Sequence, residues 1–225
     1  MKAQEILCHK DFQRCIDFHG HICPGLAIGF QAARILMERL GVEAAPDEEL
    51  VATVETDACS VDAIQVVAKC TFGKGNLIFL DHGKHAFSLT DRKQGKTVRV
   101  CLRPDVLPNR SQHPSLFEKV HKGHATAEEI RLFKQLREER LNNILNADPE
   151  SLFTIEEIPA DIPPLARITE SEVCERCGEP TMSNHLREKE GQKVCIPCAL
   201  KISKGGDNRK RPKSSNHPHP KNKQK

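Results

Sequence analysis

The chain has neither tryptophan nor tyrosine, and aromatic residues make up only 4% of it. It therefore lacks the stacking platforms that hold unpaired nucleic-acid bases. No apolar run approaches the ~20 residues that cross a bilayer, and Met1 to Glu5 does not begin a signal-peptide core. No membrane contact and a cytoplasmic location are expected. What the chain has in quantity is cysteine, 10 among 225 residues. In a reducing compartment these act as metal ligands or reactive thiols rather than disulfides. With 29% charged and 38% hydrophobic residues, the chain suits one good core and a small second domain.

The net charge of +3 is unevenly spread. From Lys201 onward, basic residues stand against the single acid Asp207, so the remainder is slightly acidic. The body offers no polyanion-binding face, whereas the tail attracts one weakly. Residues 203–225 have no apolar periodicity, which predicts a disordered basic tail.

Two imidazoles and a thiol fall together in Phe18-His19-Gly20-His21-Ile22-Cys23-Pro24-Gly25. Behind them Leu26, Phe30, Ala33, Met37 and Leu40 recur at helical spacing until Gly41, and Pro24 suits the first turn. Cys23 then lies at the positive end of a helix, which favours a thiolate. In an extended segment His19, His21 and Cys23 would share one side. Two nitrogens and a sulfur suit Zn²⁺ or another borderline metal.

Leu50 to Glu55 reads as a buried strand running through Thr56-Asp57-Ala58-Cys59 into a second helix, with Ser60 as its expected N-cap. Cys59 thus repeats the placement of Cys23, and two helix starts, each with a thiol, can converge. Gly25 and Gly29 lie on one side of the first helix and admit another backbone. The expected core metal ligands are His19, His21, Cys23 and Cys59. The same pattern also allows Cys23 or Cys59 to act as a nucleophile or redox thiol, and the residues alone leave both open. Asp57, Asp62, Asp81 and Lys84 are the polar candidates for orienting the ligands or meeting an anion. Asp62 serves equally well as a charge at a helix start.

An amphipathic helix is expected over residues 1–17, with Cys8, His9 and Cys15 as packing residues. Strands are expected over 76–81, 86–89, 98–102 and around 152–158, with a turn at 91–96. Thr126-Ala127-Glu128-Glu129 is a capping box opening a long helix to about Asn146. The fold class is α+β, a mixed sheet packed with helices. The core domain spans 1–160, followed by a linker over 161–172.

Cys174-Glu175-Arg176-Cys177 and Cys195-Ile196-Pro197-Cys198 are two matched knuckles. Four thiolates at this spacing form a closed tetrahedral Zn²⁺ site. A module over 173–202 is too small to bury much core, so the metal supplies its folding energy. That zinc is structural.

Four stretches, Phe18 to Gly25, Glu55 to Gln65, Gly73 to Leu77 and Asp81 to Phe87, together resemble the FmdE family, named for a component of formylmethanofuran dehydrogenase. The resemblance runs from about residue 12 to 200. It implies an α+β core, often dimeric, with a treble-clef-like zinc finger behind it. It also implies that His19, His21 and Cys23, with Cys59, form the metal-binding or active site. By the same resemblance the chain is a zinc-binding subunit or accessory of a molybdenum- or tungsten-dependent formylmethanofuran dehydrogenase or related redox enzyme. The chain has no ferredoxin-like cysteine pattern and no pterin-binding signature, so it does not reduce CO₂ to a formyl group by itself. Two other classes stay open. One is a regulator or adaptor whose finger and tail contact nucleic acid or a protein. It is weakened because Arg176, Arg187, Lys189 and Lys193 are offset by Glu175, Glu179, Glu188 and Glu190. The other is a thiol-dependent enzyme using Cys23 or Cys59.

Overall fold

The N-terminal segment is expected as one helix, but it breaks at His9. In the computed structural model, which describes residues 2–106, 114–165 and 169–203, α1 covers Ala3–Leu7 and α2 covers Lys10–His19. The His9 backbone is extended, and its Nδ1 accepts from the Asp11 N–H at 3.3 Å, capping α2. Gly20 ends α2 with φ +84, a left-handed conformation that glycine adopts without strain. Cys23 then caps α3 (Pro24–Leu40), and Gly41 at φ +66 stops it. Leu26, Phe30 and Leu36 are completely or almost completely buried, so α3 is the spine of the core.

The chain divides into two compact units between residues 166 and 167. In the first, β1 (Leu50–Val54) leads into α4 (Ser60–Ala68) and returns as β2 (Leu77–Phe79), parallel to β1. β3 (Ala86–Asp91) and β4 (Lys96–Leu102) form a hairpin. Then come α5 (Pro114–His121), α6 (Ala127–Asn146), α7 (Pro149–Leu152) and β5 (Phe153–Ile158). The sheet order is β2-β1-β3-β4-β5, with every pair except β1–β2 antiparallel. This is the expected mixed sheet packed with helices. Phe87, Leu89, Val98 and Val100 join α3 in the core, while Ser88, Thr90, Thr97 and Arg99 alternate onto the other face. Asn76, fully buried, pins the turn before β2: its side chain donates to Leu50 O at 2.9 Å and accepts from Thr71 N–H at 2.9 Å.

α3 and α4 touch backbone to backbone. A Cβ on Gly29 would stand 2.1 Å from the Ser60 carbonyl oxygen, and one on Gly25 would stand 3.1 Å from Cys59 Cβ. Ser60 is expected as the N-cap of α4, but Cys59 occupies that place, and Ser60 is the first helical residue, tight against Gly29. Its hydroxyl is buried without a hydrogen-bond partner among the described residues. The Thr126 capping box forms as expected, but only Ile144 and Leu145 of α6 are buried, and Ile130 is 40% exposed.

The second unit has β6 (Ser171–Val173) paired with β7 (Pro180–Met182), β8 (Leu186–Lys189) paired with β9 (Gln192–Cys195), and α8 (Ile196–Ser203). β6 begins inside the stretch expected as linker. Apart from Ser203, the expected tail lies outside the described residues.

Candidate metal centre

The corner between α2 and α3 builds the site. His19 is the last residue of α2, so the trio is not extended. Gly20 turns the chain instead, and the His19 ring folds back onto Cys23. The His19 side chain is 11% exposed, and its Nδ1 meets Asp62 Oδ2 at 2.7 Å. Its Nε2 lies 3.7 Å from Cys23 Sγ. Two ligands on one tetrahedral zinc, with Zn–N and Zn–S bonds of ~2.05 and ~2.3 Å, lie about 3.6 Å apart, so the observed separation fits a shared ion. Ligand atoms of His19, His21 and Cys23 all fall within 4.8 Å of one another. The carboxylate of Asp62 fixes the ring orientation and leaves Nε2 for a metal, the usual way a metal-bound histidine is held.

Cys59 is not in this close group, but it is adjacent. A Cβ on Gly25 would lie 3.8 Å from both the Cys23 and the Cys59 sulfur. Cys23 is buried and Cys59 exposed. The helix start is expected to lower the Cys59 thiol. Instead partial burial, then the Cys23 thiol and Asp62, raise it above its ordinary value. A bound cation reverses that balance by stabilising the thiolate. Cys23 Sγ also accepts from the Leu26 N–H at 3.3 Å, capping α3.

The other polar candidates divide. Asp62 is in place. Asp57, Asp81 and Lys84 are exposed, and their side chains make no hydrogen bond or ion pair with other described residues. The Lys84 backbone N–H does donate to Glu55 O at 2.9 Å, which holds its loop beside the end of β1. Because β1 and β2 are parallel, with Val54 opposite Phe79, the loops after both strands leave the sheet at one end. Sequence reasoning missed Glu55 at that end. It is 8% exposed, and it accepts from Arg99 Nε at 2.8 Å and pairs with His82 Nδ1 at 3.1 Å. Burial pushes the Glu55 carboxyl up, but His82 and Arg99 outweigh it and hold the group below its ordinary value. The signal was a lone acid ending an otherwise apolar strand. His85 was also missed: its Nδ1 is buried without a hydrogen-bond partner among the described residues, and burial, then Arg140, lowers its pKa.

In the second unit Cys174, Cys177, Cys195 and Cys198 bring their sulfurs within 4.8 Å of one another. Cys177 and Cys195 are 3.8 Å apart, matching the ~3.8 Å between thiolates on one tetrahedral zinc. Burial opposes charge on Cys174, but the N–H groups of Cys177, Cys195 and Arg176 outweigh it and bring the thiol down to about 6. Burial and the neighbouring thiols push Cys198 up to about 12. Cys174 is thus prepared as a thiolate, and a bound metal has to displace the proton of Cys198. Knuckle, hairpin and helix follow in treble-clef order.

Residues 18–154 match the family described as FmdE, molybdenum formylmethanofuran dehydrogenase operon. The chain belongs to the FmdE family. Residues 167–204 match the prokaryotic dksA/traR C4-type zinc finger. A curated relative from Archaeoglobus fulgidus, described as a probable S-adenosyl-L-methionine-binding protein, is 36% identical over 193 residues. The match takes in 83% of this chain and 51% of that protein, so the chain spans about half the relative's length. Among solved structures, a tungsten formylmethanofuran dehydrogenase FmdE-like protein from Syntrophus aciditrophicus is similar at 25% identity and a TM-score of 0.55. That match covers 88% of this chain and 97% of the other. No helix among the described residues is long and apolar enough to cross a membrane. The FmdE core and C4 finger make this a metal-binding protein.

Proposed function

We propose that this FmdE protein carries two metals: a structural zinc in the finger and a second ion at the core site. His19, His21 and Cys23 would hold the second ion, with Cys59 beside them. Three close ligands leave a position open, and an ion there supplies Lewis acidity. The observation that carries this reading is the His19 ring, held by Asp62 at 2.7 Å on one nitrogen and facing Cys23 at 3.7 Å with the other. The chain would act as a cytoplasmic homodimer, as a subunit or accessory of a molybdenum- or tungsten-dependent formylmethanofuran dehydrogenase or a related redox enzyme. The family membership supports that association.

Metal analysis of the purified chain tests the core reading. Two metal equivalents per chain, falling to one in a Cys23→Ser/Cys59→Ser variant, are expected. One equivalent that survives this double change would sink the core metal. It would favour the second reading, a thiol-dependent enzyme, for which the exposed Cys59 beside Cys23 is the supporting observation. Association is tested by co-purification of dehydrogenase subunits with the tagged chain, and dimerisation by its sedimentation mass. Nucleic-acid binding by finger and tail would require a salt-sensitive shift of duplex DNA that is lost with residues 174–225.

A further inference from the structure

A groove of about 230 Å³ opens directly beside Cys23. Ile22 and Cys23 form one wall, and Lys134, Arg137, Glu138 and Leu141 of α6 form the other. Arg137 is anchored across it, donating to Ile22 O at 3.3 Å. That bond engages one nitrogen and leaves the rest of the guanidinium fork available. Lys134 forms no ion pair or hydrogen bond with another described residue. Two cations therefore face the groove against one carboxylate, in a unit whose surface otherwise mixes both signs. On an ordinary solvated helix face the two cations would point into water. Here they line a concavity that Cys23 of the candidate metal centre also lines.

We propose that this groove binds a small carboxylate ligand and presents it to the core site. The proposal rests on the core-site reading and names the substrate class for it. Pockets for drug-sized ligands occupy roughly 300–1,000 Å³, so the volume limits the occupant to a small molecule. The guanidinium fork of Arg137 matches a planar carboxylate with two parallel hydrogen bonds, and Lys134 adds a point charge. Glu138 repels a second negative charge and accepts from a hydroxyl or amine on the ligand, which selects against a dianion. The ligand's far end then lies against Cys23.

The test is a titration of the metal-loaded, full-length chain with glycolate, followed by saturation-transfer NMR, with inorganic phosphate as the competing anion. Expected are glycolate binding that weakens with added salt, and a loss of about tenfold or more in Lys134→Gln/Arg137→Gln with the metal content unchanged. Arg131→Ala, elsewhere on α6, should bind as the parent does. Lys134→Gln alone provides a second variant that leaves the Ile22 contact intact, with a smaller loss in the same direction. A chain carrying two metal equivalents that binds no glycolate, or binds it equally well in both variants, would overturn the groove while leaving the core metal standing. Phosphate binding as tight as glycolate would overturn the carboxylate assignment. Should metal analysis find only the finger zinc, the core reading falls on its own. The same titration on that chain still decides the groove, because its cations belong to α6.

Discussion

Adding one methyl group at Gly29 should separate the two helices that build the site. The alanine Cβ would stand 2.1 Å from Ser60 O and 2.7 Å from Ser60 C and Cα. Ordinary contact begins near 3.4 Å, so α4 must retreat by about 1.3 Å. The obstacle is backbone, and no rotamer change relieves it. Overpacking of this kind costs about 3 kcal/mol or more. Alanine's better helix propensity returns ~1 kcal/mol, leaving a net loss of roughly 2 kcal/mol or more. Retreat of α4 also carries Cys59 and Asp62 away from Cys23, so zinc affinity at the core site should fall in the same variant. Urea unfolding of Gly29→Ala, compared with parent, measures the first effect, and competition with a chromophoric zinc chelator measures the second. Gly73→Ala is the control: nothing lies within 4 Å of its added Cβ, and a change within about 0.5 kcal/mol is expected. A Gly29→Ala midpoint at or above the parent's would refute the close-approach argument.

Three further outcomes follow from the geometry. Asp62→Asn keeps the shape but removes the charge that orients His19; core-site zinc affinity should drop roughly 10–100-fold in chelator competition, and an unchanged affinity would exclude the orienting role. The finger has only a small apolar cluster around Val194 and Ala199, so Cys174→Ser or a strong chelator should unfold it. Metal binding in such modules supplies about 10–16 kcal/mol. Limited proteolysis should then cut within residues 171–203 while the first unit resists, and equal resistance of both would count against zinc-dependent folding. Glu55 is held below its ordinary carboxyl value of 4.5. Its stabilisation is therefore present above about pH 4.5 and lost as pH falls through the lower folded value. Glu55→Gln should cost ~2 kcal/mol at neutral pH by leaving Arg99 without its carboxylate, and less in acid. Urea midpoints at neutral pH and below pH 4 check this, and a cost independent of pH would contradict it.

Legibility in the sequence tracked how local each interaction is. The two Cys-x-x-Cys knuckles were readable outright, because four thiolates at that spacing have one common use and the knuckle is formed by adjacent residues. α3 and its glycine stop were readable for the same reason: helical periodicity, Pro24 and Gly41 all act within a few residues. The break at His9 was not, since one capping bond to the Asp11 N–H outcompetes an uninterrupted apolar period. Nor was the exposure of Ile130, because periodicity marks a face without saying what covers it.

The sequence by itself determined that Cys23 sits at a helix start with His19 and His21 just ahead of it, that a second thiol sits at another, and that Gly25 and Gly29 leave room between helices. Only the tertiary structure decided how these meet. Gly20 reverses the chain so that His19 turns back onto Cys23, and the Gly29–Ser60 contact brings α4 close enough for Asp62 to hold the ring. Glu55, Arg99 and His82 were invisible as a group because the end of β1, the loop after β2 and β4, on the far side of β3, are brought together only when the sheet forms in its order β2-β1-β3-β4-β5. The groove beside Cys23 likewise joins residues more than a hundred positions apart. A ligand type can be read from a side chain and its near neighbours, whereas the distances that make ligands into a site are set by packing between elements far apart in sequence.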